Sequence, residues 1–399
     1  MTGCLGTGQA KLLTLGEIVR AALPAFAPTH RLPVHHWKVL RALAACHTPA
    51  LGGHQYRCAH CQHEHFVPHS CGNRHCPSCQ KLHGAQWLEQ QIEHLLPIPY
   101  FHAVFTLPHE LNRLVQHNPA RLYSLLFSSA TATLLEFGRH NLHATLGITA
   151  VLHTWGQNLG DHYHLHCVVT GGGLSLDGQS WVSLDPQWLF PTRALSVVFR
   201  AKFRDGLRQL FDQGQLQCPS AEPRLAEPGA FARWLRRLCR HKWVVYAKRP
   251  FAGPQAVLAY LCRYTHRVAI TNRRLENLDL QNGTVTFGYK DYAHGSELRT
   301  MTLSLEEFLR RFCLHILPAR FVKIRHYGLL SNRDRPARIA QARALLATSP
   351  APSEEPKEAV LIIKPVEPPS LVCPHCGQRA LVLIGIINRP KAPTTWDSS

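Results

Sequence analysis

The histidines at positions 162, 164 and 166 constrain the fold most strongly, because they alternate with other residues in the segment GDHYHLHCVVTGGG, residues 160–173. Side chains of an extended strand alternate between its two faces, so the segment predicts a strand that carries all three imidazoles on one face. The opposite face of this strand would carry Tyr163, Leu165, Cys167 and Val169. The predicted strand therefore has two chemically different faces.

The histidine face is a candidate metal site. A single histidine on a strand is usually a packing or surface residue, but His164 and His166 present two nitrogen ligands on one surface, which suits a divalent ion. The candidates for a third ligand are Gln157, Asp161 and His162, and Gln157 is expected on the partner strand of a hairpin.

Four cysteines in two CxxC pairs predict a zinc site. Cys58 and Cys61 are followed after 14 residues by Cys76 and Cys79, a spacing that allows four thiolates to surround one tetrahedral ion. Nearby residues could complete a second zinc site or could be packing groups. These residues are Cys46, His54, Cys71 and His75.

A third pair, Cys373 and Cys376 in CPHC, is only half a site, and it either borrows ligands from elsewhere or binds no zinc. Most of the fourteen cysteines fall in these clusters, a pattern typical of metal binding in a reducing compartment. The N-terminus lacks the layout of a signal peptide, and no apolar run is long enough to span a membrane. We therefore expect a cytoplasmic protein with no membrane contact.

The charge of the chain favours a polyanionic partner. Lys and Arg outnumber Asp and Glu by 44 to 25, which gives a net charge of +19 and a pI near 9.6. Nucleic acid is the first candidate, although a basic surface can also be without function. The segment GCLGTGQAK, residues 3–11, has Gln9 where a phosphate-binding loop needs lysine. No nucleotide cofactor is expected.

Two tyrosines, Tyr260 and Tyr264, lie one turn apart on a helix predicted for residues 253–270. An aromatic stripe of this kind commonly packs on a core. Here the neighbouring residues are basic, and tyrosine hydroxyls among cations near a metal suit nucleophilic attack on a phosphodiester. The basic neighbours are Arg263, His266, Arg267, Arg273 and Arg274.

The order of predicted elements indicates an α+β fold with antiparallel strand pairing. Residues 1–96 are expected to form a helical and zinc-binding domain, and residues 97–344 a catalytic domain. Basic helices are predicted near 195–213 and 228–241, a hairpin turn at Asn282-Gly283, and a helix start with Ser304 as its cap. A linker rich in proline and glutamate, 345–370, would lead to a short tail, 371–399, that carries CPHC.

Several segments in order resemble the insertion-sequence ninety-one family of rolling-circle transposases, a two-tyrosine group of the HUH single-strand nucleases (histidine, hydrophobic residue, histidine). The resemblance covers about residues 15–335 and the CPHCG tail. Tyr163 stands where the family has proline. The similar segments are LGGHQYRCAHCQHEHFVPHSCGNRHCPSCQ, FHAVFTLPHEL, LHTWGQNLGDHYHLHCVVTGGGL, AYLCRYTHRVAITNRRL and RHYGLLSN.

This resemblance implies an HUH palm, an antiparallel sheet backed by helices, with a zinc-binding domain before it. It also implies that His164 and His166 hold Mg²⁺ or Mn²⁺, and that Tyr260 or Tyr264 attacks DNA to leave a 5′-phosphotyrosine. The protein would then nick and rejoin single-stranded DNA at element ends, in association with the nucleoid. A single-strand channel would be lined by Lys242, Lys248, Arg249, Arg263, Arg267, Arg273 and Arg274, with Trp155, Trp243 and Tyr246 as stacking surfaces.

Two other functions fit the same residues. A replication initiator or relaxase would use the same chemistry, although the cysteine cluster ahead of the histidine strand argues against it. A zinc-dependent DNA-binding protein without catalysis would use the histidines and tyrosines structurally, and it would form no covalent adduct with DNA. A transposase with three carboxylates is disfavoured, because the chain has 25 acidic residues and no carboxylate cluster on its central strands.

Overall fold

The computed structural model describes residues 12–80, 84, 91, 93–185, 189–248, 257, 268–292, 295–348 and 372–389. Within these residues the α+β prediction is confirmed, because antiparallel sheets pack against helices. The helices are α1 (Leu15–Thr29), α2 (Val34–Ala45), α3 (Asn112–His117), α4 (Pro119–Leu142), α5 (Thr192–Asp212), α6 (Pro228–Leu238), α7 (Leu305–Cys313) and α8 (Arg335–Thr348). The strands are β1 (Gly53–Cys58), β2 (Glu64–Pro68), β3 (Tyr100–Thr106), β4 (Ala144–Trp155), β5 (Asp161–Ser175), β6 (Trp181–Ser183), β7 (Val245–Lys248), β8 (Leu275–Asp279), β9 (Thr284–Asp291), β10 (Glu297–Ser304), β11 (Ile324–Gly328) and β12 (Leu381–Ile387).

The largest sheet has the strand order β11-β4-β5-β3-β7, with β6 paired to β5. All of these pairs are antiparallel. The predicted hairpin forms its two longest strands, β4 and β5. Because β5 lies in the middle of the sheet, its alternating histidines are presented at the centre of one face.

The other face of this sheet is covered by α4 and α5, and the apolar side of α6 joins the same core. Phe101, Phe105 and Leu165 point into this layer and are fully buried with Phe199 of α5 and Trp243. The aromatic rings of Phe105, Phe199 and Trp243 meet edge to face at 5.0 and 5.5 Å. Burying each of these rings stabilises the fold by about 2 kcal/mol or more, so the helical layer fixes the sheet from behind.

A second core joins the N-terminal helices to a three-stranded sheet of order β10-β9-β8. Helix α1 begins with a capping box, in which Thr14 and Glu17 cap each other's backbone amides. The predicted Asn282-Gly283 turn connects β8 and β9, and Gly283 takes a φ of 61°, which favours glycine. Ser304 caps α7, as the sequence predicts, by accepting from the Glu307 amide at 3.2 Å.

The C-terminal residues 372–389 do not form a separate tail. Strand β12 pairs antiparallel with β1 over Gly53–Cys58, which gives a third sheet of order β12-β1-β2. The tail therefore folds together with the N-terminal cysteine-rich region. Within the described part of the chain, no helix combines the length and the apolar character needed to cross a membrane.

Candidate active site and metal centres

The strand register brings three imidazoles together on the open face of the largest sheet. His164 pairs directly with His153 of β4, and directly paired residues point to the same face. One ligand atom from each of His153, His164 and His166 lies within 4.8 Å of the other two. His153 and His166 are buried, and His164 is half-buried, so the group opens to solvent on one side.

The third imidazole is one that the sequence did not single out. Gln157 lies in the turn after β4 rather than on the partner strand, and its backbone carbonyl accepts from Arg274. His162 lies outside the three-histidine group, with its ring 4.7 Å from that of His164. Asp161 accepts from the Tyr163 hydroxyl at 2.8 Å and from Gln116 at 2.6 Å.

Hydrogen bonds and stacking hold the three rings in place. The Nδ1–H of His164 donates to the carbonyl of its neighbour His162 at 2.8 Å, which leaves Nε2 with its lone pair. Nδ1 of His166 lies 2.9 Å from Nε2 of the buried His102. Burial, aided by the charge of Lys248, lowers the pKa of His102 to about 3, so this partner is neutral. The His153 ring stacks on Trp155 at 4.6 Å.

The tyrosines Tyr260 and Tyr264 lie outside the described residues, as do Arg249, Arg263 and Arg267. Within the tyrosine helix predicted for residues 253–270, Val257 has helical backbone and is fully buried, but residues 268–270 are not helical, so the predicted helix extends too far at its C-terminal end. Val257 belongs to a cluster with Val168 and Tyr100. Val168 follows His166 by two residues on β5, so Val257 packs on the histidine face of the sheet.

The cysteines form two groups, and the prediction of one ion shared by Cys58, Cys61, Cys76 and Cys79 is wrong. The two CxxC pairs belong to different groups because each finds its partners elsewhere in the chain. Cys76 and Cys79 lie with Cys46, at the end of α2, and Cys71. Cys58 and Cys61 lie with Cys373 and Cys376, which β12 brings alongside β1. The CPHC pair thus borrows its partners from the N-terminal region.

Both groups have the spacing that a zinc ion requires. Sulfur atoms at about 2.3 Å from a tetrahedral zinc lie about 3.8 Å apart. The Sγ atoms of Cys46 lie 3.6 Å from Cys76 and 3.7 Å from Cys79. In the second group, Cys58 lies 3.6 Å from Cys376, and Cys61 lies 3.6 Å from Cys373. Each group can therefore hold one zinc ion with four thiolates.

The histidines that were candidate zinc ligands have other roles. His75 is buried and uses both ring nitrogens, because Nε2 accepts from the Leu317 amide at 3.1 Å and Nδ1 donates to Asn73 at 3.1 Å. It therefore links the cysteine-rich region to the segment that precedes β11. His54 lies on β1 outside both cysteine groups, with its ring 4.7 Å from that of His69.

Comparison with known proteins shows the family of this chain. Residues 18–107 match the family "Transposase zinc-binding domain", and residues 147–337 match the family "Putative transposase". "Putative transposase y4qJ" of Sinorhizobium fredii is 46% identical over 391 residues, which cover 96% of each chain. "Transposase for insertion sequence element IS801" of Pseudomonas savastanoi pv. phaseolicola is 32% identical over 298 residues, which cover 73% of this chain and 69% of that protein. The chain belongs to the IS91 family of transposases. No solved structure matches it.

In this IS91-family transposase, the predicted DNA-binding residues divide into exposed and structural ones. Lys242, Lys248 and Arg273 are exposed. Arg274 instead donates to the carbonyls of Gly288, at 2.7 Å, and Gln157, so it ties the β4–β5 turn to β9. That contact fixes the turn beside the histidine group.

Of the three aromatic residues predicted to stack on DNA in this transposase, one is exposed and two are packed in the protein. Tyr246 of β7 is half exposed and can stack on a base. Trp243 is 1% exposed, so the prediction that it stacks on DNA is wrong, because the ring fills the core beneath α5. Trp155 packs on His153 and supports the histidine group.

Proposed function

We propose that this transposase nicks and rejoins single-stranded DNA at the ends of its element through a 5′-phosphotyrosine intermediate. The observation that carries the proposal is the group formed by His153, His164 and His166 on the open face of an antiparallel sheet. Three neutral imidazoles on one side of an ion leave its other positions open for phosphate oxygens. The enzyme would act on nucleoid DNA in the cytoplasm.

The histidine group would hold Mg²⁺ or Mn²⁺. The bound ion would polarise the scissile phosphate and stabilise the negative charge that develops on its oxygens. His164 would bind through Nε2, because its Nδ1–H is engaged with the carbonyl of His162. His166 would be oriented by His102, and a neutral ring at this position accepts the Nδ1–H that a metal-bound imidazole presents.

The position of Val257 supports Tyr260 and Tyr264 as the nucleophiles. Val257 packs on the same sheet face as the histidine group. The predicted helix places Tyr260 and Tyr264 three and seven residues after Val257, which is one face of a helix. Both hydroxyls would then be directed toward the face that carries the imidazoles.

In the proposed reaction the phenolate oxygen of one tyrosine attacks the phosphorus atom. The O–P bond to tyrosine forms, the P–O3′ bond breaks, and the departing 3′-oxygen takes up a proton. The phosphodiester bond energy is retained in the phosphotyrosine, so rejoining to a 3′-hydroxyl needs no nucleotide cofactor. The second tyrosine would make the matching cut on another strand.

Covalent capture tests this proposal. The full chain is incubated with Mn²⁺ and labelled single-stranded oligonucleotides that carry the element ends, and a denaturing gel separates the products. We expect a denaturant-resistant protein–DNA band that requires metal and is abolished by His164→Ala. The band should persist in Tyr260→Phe or Tyr264→Phe and vanish in the double variant. Tyr292→Phe, a change at an exposed tyrosine directly after β9, serves as the matched control.

Two results would count against the proposal. Tight DNA binding without any adduct on the correct ends would indicate a non-catalytic, zinc-dependent DNA-binding protein. If one single tyrosine variant loses the adduct completely and the other single variant keeps it in full, only one tyrosine is a nucleophile, and the other has a packing role.

A further inference from the structure

A groove lined by five arginines lies on the helical layer, away from the histidine group. We call this feature the arginine groove and define it by Arg224, Arg233, Arg236, Arg237 and Arg240. The groove has a volume of about 790 Å³ and lies between the turn at Pro223–Ala226 and helix α6. All five side chains are exposed.

The sequence of α6 explains why the arginines gather there. Phe231, Leu235 and Leu238 occupy one side of the helix and are buried in the main core. Arg233, Arg236, Arg237 and Arg240 follow the i, i+3, i+4, i+7 spacing, so they form a stripe on the opposite side. Arg224, from the preceding turn, adds a fifth cation to the groove wall.

Among the described residues, carboxylates do not balance the charge of the groove. Glu222 is the carboxylate in the groove lining, and it lies 3.6 Å from Arg113, outside the groove. Among the residues that the structure describes, none of the five arginines is paired with a carboxylate. Five like charges held close together on one helix and its neighbouring turn repel each other, so a polyanion that binds there would relieve this repulsion.

The groove cannot contact the phosphate that is cut. The apolar side of helix α6 belongs to the core on the sheet face that carries Phe105 and Leu165, where Phe231 stacks on Phe211 at 3.9 Å, and the histidines project from the other face. The arginines therefore contact a different part of a DNA substrate. Strand β7, with its exposed Tyr246 and Lys248, is an edge of the sheet and contacts α5 of this helical layer.

We propose that the arginine groove binds the phosphate backbone of duplex DNA that flanks the strand held at the histidine group. The stripe from Arg233 to Arg240 runs along α6 into the turn that follows Leu238, and it spans about 10 Å at the rise of a helix. A duplex carries about six phosphates over that length, about three on each strand, so a strand that follows the stripe can contact three of the arginines. Single-strand sites need exposed aromatic rings for stacking, but Trp234, the aromatic residue of the groove lining, packs against Phe231 at 5.6 Å. The proposal deepens the proposed function, because it adds a second DNA contact to the same enzyme.

The test measures the affinity of the full chain for a labelled DNA duplex over a range of salt concentrations, without added Mg²⁺ or Mn²⁺. The variant carries Arg233→Gln, Arg236→Gln and Arg240→Gln. A control with the same net charge carries Arg139→Gln, Arg193→Gln and Arg333→Gln, three exposed arginines outside the groove.

We expect the groove variant to bind the duplex at least about tenfold more weakly near 0.1 M salt, with a salt slope reduced by about 2.7, or 0.9 for each lost phosphate contact. Replacing the same three arginines by lysine should restore most of the slope, because lysine keeps the charge. Binding of an unstructured single strand should change less than binding of the duplex.

An affinity and salt slope equal to those of the control variant would overturn the proposal. An equal loss for single-stranded and duplex DNA would overturn the assignment to duplex. Because the assay involves no cleavage, a failure of the phosphotyrosine chemistry would leave its result unaffected, and the two proposals can fail separately. Retained zinc content and circular dichroism would show that each variant is folded.

Discussion

The Nε2 atom of His102 lies 2.9 Å from the Nδ1 atom of His166, and the two buried rings stack at 5.1 Å. The pair joins neighbouring strands, because β3 and β5 are hydrogen-bonded to each other. A histidine that binds a metal through one nitrogen is oriented by the partner of its other nitrogen, and loss of such a partner typically costs 10- to 100-fold in metal affinity. His102 is thus the residue expected to position His166.

We expect His102→Leu to raise the Mn²⁺ concentration needed for half-maximal adduct formation by about 10- to 100-fold. The adduct yield at saturating Mn²⁺ should recover, because the variant retains His153, His164 and His166. Titrating Mn²⁺ in the covalent capture assay measures this shift. His117→Leu, a change at an exposed histidine, is the control. An unchanged Mn²⁺ titration for His102→Leu would show that His102 has only a packing role.

The third ligand can be identified by a pair of variants. His153→Ala should lower adduct formation by about 100-fold or more, as expected when a catalytic ion loses one of its protein ligands. Gln157→Ala should leave the rate within about twofold, because the contact of Gln157 with Arg274 uses the backbone carbonyl. Single-turnover rates at fixed Mn²⁺ provide the comparison. A large loss of rate in Gln157→Ala together with a small loss in His153→Ala would instead identify Gln157 as the third ligand.

The two cysteine groups predict two zinc ions for each chain. Cys79→Ser and Cys376→Ser should each remove one ion, because they belong to different groups. Elemental analysis together with native mass spectrometry would count the ions. One ion in the wild type, unaffected by Cys376→Ser, would favour a single site built from the two N-terminal CxxC pairs.

The stability of the palm should depend on pH through His326. This residue of β11 lies 3.0 Å from the Thr149 hydroxyl, and burial, with the charges of Arg335 and His94, lowers its pKa from 6.5 to about 4. The unfolded chain takes up a proton at His326 as the pH falls below 6.5, and the folded chain does so only near pH 4. This contribution to stability is therefore present above pH 6.5 and is lost as the pH falls toward 4.

His326→Gln tests this expectation, because glutamine can bond Thr149 and does not titrate. Between pH 7 and pH 5 the free energy of unfolding of the wild type should fall by about 2 kcal/mol more than that of the variant. Urea unfolding followed by circular dichroism at the two pH values gives both numbers. Equal pH dependence in the two proteins would show that folding does not lower the pKa of His326.

Local patterns predicted the main elements of the palm well. The alternation around His164 predicted β5, the Asn282-Gly283 pair predicted a hairpin turn, and Ser304 predicted the start of a helix, and the structure has all three. Each of these features depends on neighbours within a few residues, so a single sequence contains the information.

His153 was missed because the strand register is not a local property. Trp155 pairs with Asp161 at the closed end of the hairpin, and regular counting from that pair would place His153 opposite Tyr163, on the core face. A β-bulge between His153 and Trp155 shifts the register by one residue and pairs His153 with His164 instead. The LHTWGQ segment contains no sequence signal that indicates this shift in register.

The spacing of the cysteines in the sequence could not predict which CxxC pairs share a metal site. All the CxxC pairs have the same local chemistry, so any two of them can share an ion. The choice is made by β12, whose pairing with β1 brings Cys373 and Cys376 to Cys58 and Cys61. Contacts between residues more than 300 positions apart leave no signal in the spacing of either segment.

The same pairing has a consequence for how this protein is made. Cys61 and Cys373 are separated by 312 residues, so the ribosome must add all of these residues after Cys61 before the second cysteine group can assemble. At 5–20 residues per second, the nascent N-terminal region waits for tens of seconds with one of its two groups incomplete. A chain that terminates early never completes it. The cysteine-rich region is thus completed only after the sheet that carries His164 and His166 has been translated, which couples the assembly of this region to the synthesis of β12.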